Sequence, residues 1–185
     1  TISGTMSVAG NFTVNMTSLS SLSSGTLNVG GNLTITAASS ITSAITVAGN
    51  VTSSDTAVIG AGTITLNGTL DQTITGGNFP DGTFTINKPS GNIILASNIS
   101  DAFTLVVTSG TLDITGWSLT VGGINVNGGT FLGDASTIDV NGAFTISAGS
   151  FTATSGQMNV SGATTISGGT FTHNNGTIVF APTVA

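Results

Sequence analysis

The side chains that could do chemistry are few. The 185 residues include seven aspartates, one lysine (Lys88) and one histidine (His173), with no Arg, Glu, Tyr or Cys. Two carboxylates flanking a sugar would hydrolyse a glycosidic bond, at ~5–5.5 Å separation for retention or ~6.5–9.5 Å for inversion. The pairs to consider are Asp134 with Asp139 and Asp101 with Asp113, yet no two aspartates are adjacent. A polysaccharide lyase would need an arginine or lysine base, and Lys88 stands alone. His173 lies in Thr-His-Asn-Asn, which reads as an exposed corner, so a solvated imidazole is expected rather than a general base. The calcium nonapeptide Gly-Gly-x-Gly-x-Asp is absent; GGNFPDG (76–82) resembles it only superficially, and one Asp in a turn usually makes an Asx-turn. No catalytic residue, metal or cofactor is expected, and the chain is not expected to be an enzyme.

Charge narrows the partners. Only 4% of residues are charged, against roughly 25% in ordinary soluble domains. A net charge of −6 with a single cation leaves no surface to neutralise phosphates, so nucleic-acid binding is not expected. No apolar run approaches the ~20 residues of a membrane helix, so no membrane insertion is expected. The chain opens on Thr1 rather than Met and reads as a processed or excised segment.

These residues must be positioned by strands. Thr (34), Ser (23), Gly (27) and Asn (16) are abundant, and all are poor in helix interiors. Disordered chains lack β-branched residues, whereas this one is rich in Val, Ile and Thr. Short alternating runs recur, such as MSV, FTV, LNV, ITL and IDV, and each points two apolar residues to one face of a strand. The commonest unit is apolar-x-apolar-x-Gly-x-apolar, with its glycine at 10, 31, 49 and 68, then 123, 142 and 162. Phe131, Phe151 and Phe171 stand twenty residues apart.

A period near 20 with three short strands per period is a solenoid signature. A β-sandwich is the competing fold, but its strands need not repeat in blocks with the same corner chemistry. The expected fold is all-β: a right-handed parallel β-helix over residues 1–185, with about nine coils of ~20 residues and three short strands per coil. Nine coils at ~4.8 Å make a rod about 40 Å long. One inner wall should stack Phe131, Phe151 and Phe171, with Leu112 below them. The next should stack Ile138, Met158 and Ile178, and the third Ile146 and Ile166. Corner glycines are expected to supply φ > 0. Residues 76–104, with GGNFPDG and NKPSGN (87–92), should form irregular coils.

Coils such as VAGNFTV, VGGNLTI and VNGAFTI resemble the repeat regions of bacterial secreted and surface β-solenoids, the adhesin- and autotransporter-like proteins. That resemblance implies an extracellular or cell-surface location and a structural or adhesive role.

Open parallel edges are sticky unless capped or charged. The expected function is therefore a structural subunit of an extracellular filament or stalk, a head-to-tail homopolymer in contact with cell-surface glycans; a longer rod of which this chain is a fragment would present the same edges. The alternative is an ice- or carbohydrate-binding adhesin surface. Thr34-Ile-Thr36, Thr63-Ile-Thr65, Thr73-Ile-Thr75 and Thr83-Phe-Thr85 suggest such an array. Read through the repeat unit, however, the outward rank becomes Ser7, Asn28, Thr46, Thr65, Asp139, Asn159 and Val179, which is mixed. Eight asparagines sit in Asn-x-Ser/Thr sequons: Asn11, Asn15, Asn32, Asn50, Asn67, Asn98, Asn159 and Asn175. Each is a possible N-glycosylation site in a host that glycosylates surface proteins.

Overall fold

Alternation of apolar and polar residues over three to five positions produces strands too narrow to bury their apolar side alone. They are buried by stacking. In the computed structural model, residues 4–15, 21–22, 25–37 and 40–181 are described, and every strand pairing among them is parallel. No helix occurs among these residues. The expectations that concern Thr1–Ser3, Thr17 and residues 182–185 lie outside them.

The chain winds as a parallel β-solenoid with three walls. Wall one has nine rungs, enclosing eight steps: Thr5–Val8, Thr26–Val29, Ala44–Val47, Thr63–Leu66, the first halves of Thr83–Leu95, Thr104–Asp113, Gly123–Leu132 and Phe144–Thr152, and Thr164–Ile166. Wall two follows one corner later, from Phe12–Asn15 to Thr170–Thr172. In coils 5 to 8 one long strand bends through that corner and serves both walls. Wall three is split. Ser21–Leu22, Ser40–Ile41 and Ile59 form one ladder, and Ile99–Ser100 through Thr177–Phe180 form another.

The core is a set of vertical columns. In wall one Leu27, Ile45, Ile64, Phe84, Leu105, Ile124 and Phe144 stack in register and are buried. The phenylalanine column forms as its spacing predicts: Leu112 lies under Phe131, Phe131 under Phe151 and Phe151 under Phe171. The Phe131 and Phe151 rings stack at 4.5 Å and 15°, and Phe151 and Phe171 at 5.9 Å and 7°. Ile138, Met158 and Ile178 form the wall-three column, and Ile146 with Ile166 a wall-one column.

Two expectations about glycine are corrected. Gly10, Gly31, Gly49 and Gly68 lie between walls one and two, whereas Gly123, Gly142 and Gly162 lie between walls three and one. They belong to two corners, not one series. Nor do they supply positive φ; among the described residues that role falls to others, including Gly110, Gly149 and Gly169 in the later wall-one/wall-two corners. The reason for glycine in the first series is space. A Cβ on Gly49 would stand 2.6 Å from the Gly31 carbonyl oxygen, because successive corners stack backbone on backbone.

The irregular region is a redistribution of residues between corners. The corner between walls one and two spans residues 48–50 in coil 3 and widens to 67–71 in coil 4. Wall two then shifts its register, so that Val51 pairs with Ile74 while Gln72 turns inward below Ile93. Leu70, a member of the expected apolar series, is instead lifted to the surface at 78% exposure. On the far side, residues 76–82 form no strand, which breaks wall three. Side chains bridge the break: Asn78 Oδ1 accepts from Val58 N–H, and Asp101 Oδ2 accepts from Phe79 N–H at 2.6 Å. Phe79, Phe84 and Phe103 fill the space behind it, with centroids 5.3–6.2 Å apart.

Candidate functional surfaces

The titratable residues are placed as parts of the scaffold. Lys88 is only 2% exposed and projects into the corner that opens at 67–71. Its ammonium donates to Gly68 O (2.8 Å), Leu70 O (2.7 Å) and Gln72 Oε1 (2.7 Å), so all three protons are used. Burial pushes its pKa down, and the Asp71 carboxylate pushes it back up. The sequence marks Lys88 only as solitary; nothing in the period signals that it is internal.

The aspartates cap backbone donors. Asp55 accepts from Thr56 and Ala57, Asp71 from Asn92, and Asp113 from Thr115. Asp101 accepts from Phe79 and Ala102; burial raises its pKa against those two donors, which lower it. Asp134 sits in a left-handed turn at the corner between walls two and three, while Asp139 lies in wall three and accepts from Asn159 Nδ2 at 2.5 Å. Asp113 lies on wall two and Asp101 just beyond wall three, so neither pair converges on a shared cleft. His173 is exposed at the corner after wall two, as its context predicts. Among the described residues no group of three or more His, Cys, Asp or Glu could hold a metal ion.

The sequon asparagines fall into two sets. Asn11 Oδ1 accepts from Asn32 N–H, Asn32 Oδ1 from Asn50 N–H, and Asn50 Oδ1 from Thr73 N–H. Asn98 caps Ser118 N–H, and Asn159 bonds Asp139 and Gln157. These five hold one coil to another. Asn15, Asn67 and Asn175 are exposed and make no side-chain hydrogen bond among the described residues.

The outer rank of wall one differs from the sequence reading, which joined two walls into one list. Asp139, Asn159 and Val179 belong to wall three. The wall-one rank runs Ser7, Asn28, Thr46, Thr65, Thr85, Val106, Asn125, Thr145 and Thr165. None of the outward residues of this rank is charged. A shallow groove beside coils 1 to 4 carries Ser7, Asn28, Thr46 and Asn67. Asn28 Nδ2 donates to Ser7 Oγ (3.5 Å) and Thr46 Oγ1 donates to Asn28 Oδ1 (2.7 Å), a ladder of side chains above the backbone ladder.

The terminal rungs form the second surface. Met6 is 39% exposed in coil 1; Ile166 and Phe180 are 51% and 54% exposed in coil 9. The wall-one equivalents in coils 2 to 8 are buried, as are Val121, Val140 and Val160 in the Phe180 column, so these are core positions at the outermost described rungs. Comparison with protein-family models, with curated proteins and with solved structures finds no match, and the function is therefore argued from this geometry.

Proposed function

We propose that this chain is an extracellular structural protein that extends by end-to-end stacking of its solenoid into a filament or stalk at a cell surface. The observation that carries the reading is the apolar inward face that the outermost described rungs keep at both ends of the ladder. The last rung presents Ile166 on wall one, in the column that Val8 opens in the first rung; on wall two the outer residues are Phe171 and Phe12, which the register shift at Gln72 sets in neighbouring columns. A second copy placed one step further along the axis sets Ile166 against Val8 on wall one, with Phe12 one inward position along wall two from Phe171. That contact continues the wall-one column and pairs its two outer parallel edges, and a head-to-tail contact that does not close makes a fibre. None of the terminal-rung strands carries the charge or proline that usually guards an edge.

Composition supports an exposed location. Lys88 is buried and precedes Pro89, so a trypsin-like protease finds no accessible basic site, and there is no cysteine to oxidise. Neutral outer ranks of Thr, Ser and Asn suit contact with surface glycans.

Sedimentation velocity across a concentration series tests the reading. The wild type should form species heavier than the monomer, and Ile166→Asp or Phe171→Asp should stay monomeric. Thr120→Asp, on the outside of wall three, should assemble normally. A wild type that sediments as one monomer throughout would overturn the proposal.

A further inference from the structure

We propose that the outer surface of wall one across coils 3 to 6 is an ice-binding face. It is a lattice rather than a cavity. Thr46, Thr65 and Thr85 stand one above another, and Thr63, Thr83 and Thr104 form a second rank two residues upstream. Rungs lie about 4.8 Å apart and alternate residues of a strand about 6.6 Å apart, so the four rungs span roughly 14 by 7 Å, with six threonines and, at opposite corners, Ala44 and Val106.

The lattice is regular and firmly backed. Register between these four rungs is unbroken through the wall-one strands. The inward residues between the threonines, Ile64, Phe84 and Leu105, are packed at 1–2% exposure. Threonine has few χ1 choices, so each hydroxyl and methyl keeps its place. Thr46 donates to Asn28 Oδ1; the other five hydroxyls make no hydrogen bond among the described residues and face outward half-buried or exposed. No backbone donor or acceptor competes, because both are spent in the ladder.

A partner for such a face must be flat, uncharged, rigid, periodic in two directions and rich in donors and acceptors. A small sugar finds only the shallow groove at Thr46 and no aromatic platform there; Trp117 lies at the corner between walls two and three. A flexible polymer would lose conformational freedom at every unit it laid down. The surface of an ice crystal meets all the requirements. Its water molecules are already fixed, stiff threonines lose little entropy in meeting them, and the intervening methyls leave few sites for mobile water. The absence of charge removes groups that would hold a disordered hydration shell. A crystalline polysaccharide is the nearest competitor and lacks its usual aromatic contact here.

This face is separate from the terminal rungs, so it functions in a single subunit. The test is growth of single ice crystals in solutions of the whole chain. Wild type should facet the crystals and hold growth below the melting point. Thr65→Lys and Thr85→Lys should abolish both while leaving the circular dichroism and melting temperature unchanged. Thr152→Lys, on the outside of wall two, should shape ice like wild type. Rounded crystals with wild type, or faceting that survives Thr65→Lys, would overturn the proposal. Rounded crystals together with adsorption to microcrystalline cellulose would assign the face to a polysaccharide instead.

Discussion

Replacing Lys88 by methionine asks whether the widened corner needs its internal cation. The side chain keeps its length and apolar stem, and only the ammonium is lost. Gly68 O, Leu70 O and Gln72 Oε1 then lose the donor they share, at present 2.7–2.8 Å away. Charge-assisted hydrogen bonds contribute about 1.5–3 kcal/mol each, but the three share one desolvation cost, which is what lowers the Lys88 pKa. Removing the ammonium leaves neutral acceptors without their donor, at about 1–3 kcal/mol for an unsatisfied buried group, and we expect Lys88→Met in that range. Gln72→Leu removes one acceptor and also strands Gly68 N–H, which bonds Oε1 at 3.0 Å. In the double variant the two losses overlap, so it should cost less than the sum by about 0.5–3 kcal/mol. Urea unfolding gives the free energies. Hydrogen exchange at residues 67–72 shows whether the loss starts in this corner, since solenoid stability is a sum of neighbouring-coil terms. If Lys88→Met falls within about 0.5 kcal/mol of wild type, as a surface change would, the ammonium does not hold the corner and the reasoning fails.

Three further outcomes follow from the packing. Phe151→Ala, fully buried between two stacked rings and edge-on to Phe144 at 4.8 Å, should cost about 3–5 kcal/mol in urea unfolding, and Phe171→Ala, half-buried, clearly less. Gly49→Ala should cost about 1–3 kcal/mol, because the backbone 2.6 Å away has nowhere to move; an unchanged midpoint would contradict the stacked-corner explanation. Burial raises the folded pKa of Asp101 above its unfolded value, so its contribution is present below the unfolded pKa and is lost as pH rises through the folded one. The stability difference between wild type and Asp101→Asn, followed by urea midpoints from acid to neutral pH, should therefore shift in favour of the variant as pH rises.

The period and its inward residues were legible in the sequence because stacking demands them. Each column needs one apolar side chain at the same place in every coil, and Phe131, Phe151 and Phe171 report that spacing directly. The phase was not legible. The unit apolar-x-apolar-x-Gly suits any tight corner between walls, so Gly68 and Gly123 looked equivalent although they turn different corners. Coil lengths stay between 18 and 21 residues from Met6 to Thr164, and the irregular coils only move residues from one corner to another. Thr63-Ile-Thr65 and Thr83-Phe-Thr85 stand one coil apart in the sequence as in the structure, but the slip joined Thr65 to Asp139 and hid how the array continues to Thr104. Lys88 escaped notice for a related reason: its burial depends on two extra residues one coil earlier.

The end-to-end claim makes a quantitative demand on the assembled protein. A junction that preserves the ladder adds nine rungs per subunit, so the axial repeat should be close to nine spacings of ~4.8 Å, about 43 Å. Electron cryomicroscopy of the concentrated protein measures it. The account predicts unbranched filaments with that repeat and β-strands perpendicular to the axis across every junction. Separate rods about 40 Å long, or filaments joined side by side, would contradict it.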